Sequence, residues 1–178
     1  LEEPGSRTLI ILITSSAELL LPTIVSRMQK VGFFTVVQKD MHTLVRALRP
    51  AVHEDDEELL ALAGGRPGVL VQLCNDPSYA AQERSLSRDI RHILANRDMV
   101  SALRISEQAA SDRALQEKVV SRILMNLRQA MIRPQQVASS LAIAQTITRV
   151  DEIARTLDST NVNPRLALDV IFLQCMGI

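Results

Sequence analysis

One short apolar block constrains the fold of this chain more than any other stretch of its sequence. Residues 9–13 read Leu-Ile-Ile-Leu-Ile, and Thr14 follows them directly. A continuous, partly β-branched block is typical of a strand that is buried on both faces of a parallel sheet. No other stretch predicts a strand as clearly. Because a single strand needs neighbours for its backbone hydrogen bonds, the chain either borrows a sheet from a partner or is a piece of a longer protein, and we expect the second.

The composition favours helices packed through aliphatic side chains. Hydrophobic residues make up 47% of the 178 residues, but aromatic residues only 2%. This mixture argues against an all-β sandwich, and the length allows one or two domains. Lys plus Arg equals Asp plus Glu at 20 each, which argues against a nucleic-acid clamp that acts through overall charge.

The pattern after the apolar block is helical almost throughout. Residues 17–29 predict two short helices interrupted at Pro22, and residues 33–38 look extended. Three short helices are then predicted at residues 41–48, 55–63 and 67–74. Acidic residues open the second of these helices, Gly64 and Gly65 end it, and Pro67 opens the third.

Longer helices are predicted for the rest of the chain, because apolar side chains recur there at helical spacing. The positions are Leu86, Ile90, Ile93 and Leu94; Leu115, Val119, Val120, Ile123, Leu124, Leu127 and Met131; and Val137, Leu141, Ala144, Ile147, Val150 and Leu157. Pro134 separates the last two groups. Asn163 and Pro164 supply an N-cap and a first-turn proline for a final helix. Together these patterns predict a helical bundle.

Residues that commonly carry chemistry do not form a recognisable constellation in this sequence. The histidines, His42, His53 and His92, are scattered over different predicted elements and predict no metal site. The serines lack the motif of a hydrolase nucleophile. The acidic run at residues 55–58 could mimic a metal-binding motif, but its place at a helix start favours a solvated surface that compensates the helix dipole. The two cysteines, Cys74 and Cys175, predict buried thiols in a reducing compartment.

The single glycine-rich loop, residues 64–68, does not match a phosphate-binding loop. Such a loop needs Gly, four residues and then Gly-Lys-Ser/Thr, a pattern that this sequence lacks. We therefore expect the loop to end one helix and begin another, and we expect this chain to bind no nucleotide by itself. The sequence also predicts no membrane span and no signal peptide, so we expect a soluble, cytoplasmic protein.

Several segments resemble one family, the AAA+ clamp loaders. Three segments resemble the second half of the family's AAA+ module. They are residues 1–4 (Leu-Glu-Glu-Pro), the apolar block 9–14, and residues 21–27 (Leu-Pro-Thr-Ile-Val-Ser-Arg). Met28 replaces the Cys of the family's Ser-Arg-Cys signature. Residues 63–70 resemble the end of the AAA+ lid, and residues 161–168 resemble the last helix of the bacterial collar domain. The combination is most similar to the delta-prime type of subunit of the bacterial DNA polymerase III clamp loader.

The resemblance implies a mainly α fold with three parts. Residues 1–36 would be the C-terminal remnant of an AAA+ α/β core. Residues 37–78 would be a small three-helix lid, and residues 79–178 would be a helical-bundle collar domain.

The resemblance also implies a function in DNA replication. The clamp loader is a five-subunit ring that uses ATP to open the sliding clamp and place it on primed DNA. Arg27 matches the arginine of Ser-Arg-Cys, which reaches the neighbouring subunit's ATP as an arginine finger. Thr14 falls at the family's sensor 1 position. The implied partners are the gamma/tau and delta subunits, and through the full complex the sliding clamp and primed DNA, with no membrane, metal or cofactor involved.

One departure bears on catalysis. The ATP-binding subunits carry Gly-Ser-x-Arg-x-Ala-Leu in the lid, and aligning Gly64 and Leu70 with this pattern puts Pro67 at the Arg position. Proline has neither charge nor donor, so the resemblance implies a non-hydrolysing subunit in which this chain is inactive by itself. Two alternatives stay open. One is a fragment of an ATP-hydrolysing AAA+ subunit, of gamma/tau type or a branch-migration helicase. The other is a separate helical interaction module, which predicts that residues 9–13 are disordered or helical.

Overall fold

The computed structural model of the chain describes residues 8–14, 17, 20–132 and 137–177. Residues 1–4 and Pro134, which entered the sequence analysis, lie outside this part. The chain divides into two compact units, Leu1–Thr35 and Val36–Ile178. All regular structure in the described residues is helical, which confirms the prediction of a mainly α chain. None of the described helices is both long and apolar enough to cross a membrane.

The described part of the first unit contains one short helix, α1 (Pro22–Val25). It begins at Pro22, as predicted, but is shorter than expected. The helix predicted before it lies partly outside the described residues. The predicted strand is wrong for this chain: residues 9–13 form no strand, and Leu9 and Ile13 are 83% and 96% exposed. The physical reason is that no described segment offers a strand edge with which their backbone could pair. An AAA+ core remnant in this unit stays a prediction.

The second unit contains eight helices in its described residues. They are α2 (Gln38–Leu48), α3 (Asp56–Ala63), α4 (Pro67–Asn75), α5 (Pro77–Asn96), α6 (Met99–Ala109), α7 (Arg113–Ile132), α8 (Val137–Ser159) and α9 (Pro164–Met176). The three short helices predicted between residues 41 and 74 are present as α2, α3 and α4. Sequence analysis did not predict α6.

Four of the helices begin with an Asp or Asn side chain that accepts a hydrogen bond from a free backbone N–H of the first turn. The acceptors are Asp76 for the Tyr79 N–H, Asp98 for that of Ser101, Asp112 for that of Leu115 and Asn163 for that of Arg165, at 3.0–3.1 Å. The cap predicted at Asn163 is confirmed. The aspartate caps give α5, α6 and α7 defined starting points over very short connections.

The glycine-rich loop is a tight connection between α3 and α4. Gly64 ends α3 in the left-handed conformation with φ 57°, and Gly65 follows with φ 73°. A side chain would be strained at such φ values, which explains the choice of glycine. Pro67 occupies the first turn of α4. The prediction that this loop ends one helix and begins the next is confirmed.

Two groups of buried apolar side chains hold the second unit together. The first core joins α2, α3, α4 and the start of α5 through Met41, Val45, Leu59, Leu60, Leu62, Ala63, Leu70, Leu73 and Ala80. The second core joins α5 to α9 through Ile90, Ile93, Ala102, Ala109, Val119, Val120, Ile123, Val150, Leu168, Ile171, Phe172 and Met176. Each fully buried aliphatic side chain contributes about 1.5–3 kcal/mol, so both cores stabilise the unit substantially.

Helix α5 belongs to both cores. Ala80 at its start lies in the first core, whereas Ile90 and Ile93 lie in the second. At about 1.5 Å per residue, α5 is a rod of roughly 30 Å. The predicted boundary between residues 78 and 79 falls in its first turn, and both sides of that boundary belong to one compact unit. The lid and collar boundaries stay a prediction.

The predicted apolar stripes are only partly buried. Val119 and Ile123 of α7 are fully buried, as is Val150 of α8. In contrast, Leu141 of α8 is 60% exposed. The side chain of Val137 lies outside the described ones. Periodicity thus located the helices, but it overestimated how much of each stripe this chain buries by itself.

Candidate functional site

Arg27, the residue predicted to act on a neighbour's nucleotide, lies in a turn directly after α1, and its side chain is exposed. Its backbone N–H donates to the Ile24 carbonyl oxygen at 3.1 Å. The Ser26 hydroxyl donates to the Thr23 carbonyl oxygen at 3.2 Å. These bonds define the backbone from which the side chain leaves. The guanidinium forms no ion pair with any residue that the structure describes, so its donors can face an external anion.

Thr14, the residue at the predicted sensor position, is exposed and lies outside any strand. A sensor residue needs a rigid strand end to hold its hydroxyl in place, and the described residues around Thr14 supply none. Its role therefore stays a prediction that only the remainder of a sheet could support.

The lid position that aligns with the family's nucleotide-contacting arginine carries no donor here. Pro67 starts α4, and its neighbour Arg66 turns back onto the preceding helix. The Arg66 Nε–H donates to the Ala63 carbonyl oxygen at the end of α3 at 3.1 Å, and the Arg66 backbone N–H donates to the same oxygen. This guanidinium therefore caps a helix of its own chain, which is the ordinary use of a basic residue at a helix C-terminus.

The acidic run at the start of α3 keeps Glu57 and Glu58 exposed in the first turn, as expected, but it also forms ion pairs that sequence analysis did not predict. Arg49 contacts Asp55 at 3.0 Å and Asp56 at 3.1 Å. Arg84 contacts Asp55 at 2.6 Å and Glu58 at 3.0 Å. Hydrogen bonds from Arg49 and Arg84 hold the pKa of Asp55 below its usual value, against the opposing effect of burial. The run thus fastens α3 to α2 and α5.

The remaining candidate groups are dispersed in the part of the chain that the structure describes. There, no three His, Cys, Asp or Glu side chains are placed to share a metal ion. His42 lies 3.8 Å from Glu57, an ion pair only when the imidazole is protonated. Both cysteines are free, and burial raises the pKa of Cys175 to about 12. At neutral pH that thiol is protonated and a poor nucleophile.

The strongest electrostatic cluster of the second unit was missed by sequence analysis. The Arg122 Nη2 atom of α7 lies 2.5 Å from the Glu83 Oε2 atom of α5, and both side chains are almost fully buried. Lys118 reaches the other carboxylate oxygen at 2.9 Å and also lies 4.9 Å from the centroid of the Tyr79 ring. The signal was available: Glu83 and Arg122 are charged residues within the apolar stripes of their helices.

Arg122 also satisfies the end of a third helix. Its Nη1–H donates to the Leu62 carbonyl oxygen in the last turn of α3 at 2.6 Å. Burial opposes the ionisation of Glu83, but the hydrogen bonds from Lys118 and Arg122 outweigh it, so the pKa of Glu83 lies below its usual value. The carboxylate is therefore ionised at neutral pH, and this buried cluster joins α3, α5 and α7.

Comparison with known proteins gives one match, at the start of the chain. Residues 1–36 match the family described as DNA polymerase III, delta subunit. Neither a curated protein nor a solved structure matches the chain. The matched residues include Ser26 and Arg27. The match covers residues 1–36 alone and shows that this segment is similar to that DNA polymerase III family.

Proposed function

We propose that this chain is the C-terminal portion of a delta-prime-like clamp-loader subunit, which assembles with its neighbours and does not hydrolyse ATP itself. The observation that carries the proposal is the family match over residues 1–36, which contain the Ser26-Arg27 pair. In this proposal residues 37–78 act as the lid and residues 79–178 as the collar. The partners are the gamma/tau and delta subunits, and the assembled complex acts on the sliding clamp and primed DNA in the cytoplasm.

Arg27 is the residue through which the subunit would influence catalysis. Its exposed side chain and the lack of an ion pair with any described residue support a role towards an external phosphate. A guanidinium carries a fixed charge and a planar set of donors that match phosphate oxygens. An arginine supplied in trans to a nucleotide accelerates hydrolysis by about 10³–10⁵-fold in well-characterised cases. We therefore assign Arg27 the role of arginine finger for the neighbouring subunit's ATP.

Two features support a non-hydrolysing subunit over the alternative, an ATP-hydrolysing subunit of gamma/tau type or another AAA+ ATPase. Pro67 stands where the lid arginine of the hydrolysing subunits stands. Arg66, the nearest guanidinium, already donates to the end of α3. The residues that precede Leu1 in the complete subunit discriminate directly, because an intact Gly-Lys-Thr/Ser loop there would favour the alternative.

The test uses the complete subunit assembled with the gamma/tau and delta subunits. We expect Arg27→Ala to slow single-turnover ATP hydrolysis at the adjoining site by about 10³-fold or more. Co-elution with the partners in size-exclusion chromatography should persist. Arg46→Ala, at an exposed arginine of α2, is the matched control and should leave hydrolysis unchanged.

Each part of the proposal has its own contradicting result. Hydrolysis that is unchanged in Arg27→Ala would remove the finger role while leaving the subunit assignment intact. Failure of the unaltered subunit to co-elute with clamp-loader partners would overturn the subunit assignment itself.

A further inference from the structure

A small surface pocket of about 30 Å³ lies between α3, α5 and α7 and is lined by side chains of all three helices. Helix α5 contributes Arg84, Ser87, Arg88 and Arg91, which share one helix face because they are spaced by three or four residues. Tyr79 of α5 contacts Lys118 of α7, and Glu83, four residues later, contacts Arg122, also four residues later. Residue numbers therefore rise in the same direction along both helices, which run parallel. We call this feature the α5–α7 groove.

The exposed charges of the α5–α7 groove are mainly positive. Arg84 is held by Asp55 and Glu58, the latter being the acidic residue of the lining. Arg88 and Arg91 are exposed and form no ion pair within the part of the chain that the structure describes. Two neighbouring guanidinium groups thus remain available for an anionic ligand, beside a third whose position is fixed.

The wall that α7 contributes is polar but uncharged where it is exposed. Asn126 and Gln129 line it, and Met125 adds a flexible apolar surface between α7 and α3. Arg122 also belongs to the lining, but its side chain is buried and its charge is compensated by Glu83. The lining therefore combines exposed guanidinium donors, the exposed amide of Gln129 and the thioether of Met125, whereas the Asn126 amide already donates to the Arg122 carbonyl oxygen.

We propose that the α5–α7 groove binds an acidic peptide segment of a partner protein, whose carboxylates pair with Arg88 and Arg91. Guanidinium and carboxylate groups match in a bidentate geometry, which supports this choice of ligand. Single-stranded nucleic acid fits less well, because it is held by aromatic stacking as well as charge, and the lining contains no aromatic residue.

The test measures the fluorescence anisotropy of a labelled peptide in which Asp and Glu alternate with Leu and Met, mixed with the full chain. We expect saturable binding that weakens at high salt, because partly exposed ion pairs are screened. The double variant Arg88→Glu/Arg91→Glu should lose about tenfold or more in affinity. Arg46→Glu/Arg104→Glu changes the charge equally at exposed positions outside the groove, and it should bind as the unaltered chain does.

Three results would overturn the inference, provided that circular dichroism shows the variants folded. These are equal peptide affinity for the groove variant and its control, equal affinity for an analogue with Asn and Gln in place of the acidic residues, and a lack of peptide binding. Tighter binding of a labelled oligothymidylate at the same residues would overturn it in favour of phosphodiester recognition. Arg88→Gln/Arg91→Gln provides a milder variant if charge reversal unfolds the chain.

Discussion

The guanidinium of Arg122 lies 2.5 Å from the carboxylate of Glu83, with the two side chains 4% and 2% exposed. The two residues lie on different helices, α7 and α5, and are 39 positions apart in the sequence. The same guanidinium donates to the end of α3. One buried contact therefore fastens the helices of the first core to those of the second, and the α5–α7 groove lies against it.

Removal of Arg122 should destabilise the chain strongly. Arg122→Ala leaves Glu83 buried with only Lys118 as a partner and deprives the Leu62 carbonyl of its donor. Breaking a buried pair from one side costs about 3–5 kcal/mol, and we expect a loss of this size in urea unfolding. Arg104→Ala, at an exposed arginine of α6, should change the free energy of unfolding by no more than about 0.5 kcal/mol. Equal effects of the two substitutions would contradict the structural role of the pair.

Acid should weaken the same contact. The pKa of Glu83 is lower in the folded chain than the usual glutamate value of about 4.3. Its ionised form therefore stabilises the fold fully above that value, and this contribution is lost as the pH falls through the lowered pKa. We expect the free energy of unfolding to fall below about pH 5, and Glu83→Gln should flatten part of that fall. Parallel pH curves for the unaltered chain and Glu83→Gln would exclude this linkage.

Substitution of Gly64 and of Gly68 with alanine should change the stability of the chain in opposite directions. Gly64 has φ 57°, and an added Cβ would lie 3.2 Å from the side chain of Met125. Gly64→Ala should therefore destabilise the chain by about 1–2 kcal/mol. Gly68 lies within α4 with nothing within 4 Å of an added Cβ, so Gly68→Ala should stabilise it by about 0.5–1 kcal/mol. Thermal unfolding distinguishes the two, and shifts of the same sign would contradict the described turn.

The cap of α9 can be tested with a pair of asparagines. The Asn163 side chain accepts a hydrogen bond from the Arg165 N–H, and replacing such a cap with alanine costs about 1 kcal/mol. Asn161 is exposed and precedes the helix, so Asn161→Ala should have an effect near zero. The measurement is chemical denaturation of both variants. If Asn163→Ala were as stable as Asn161→Ala, the cap would contribute nothing.

Most helices could be predicted from local signals, and the exceptions have clear causes. Asn163-Pro164 and the glycine turn before Pro67 marked helix ends correctly, because caps depend on neighbouring residues. Helix α6 was overlooked, although Asp98 marks its start. The strand at residues 9–13 was wrong for this chain, because a strand depends on partners that its own sequence does not contain.

The candidate site residues also differ in whether the sequence alone could identify them. Arg27 was named from the sequence through a family signature, and the structure adds its exposure and the turn that presents it. The pairing of Glu83 with Arg122 and the alignment of Arg88 and Arg91 beside Asn126 were not predicted. Each depends on the parallel packing of α5 and α7, which no local pattern specifies.

The sequence by itself determined where most of the helices lie, the aliphatic character of their cores and the resemblance that singles out Arg27. These properties depend on spacing, caps and composition within a few residues of each other. Only the tertiary structure decided which apolar stripes are buried and which arginines are neutralised. Those outcomes depend on contacts between residues far apart in the chain, whose charges and apolar surfaces acquire partners only when the helices pack.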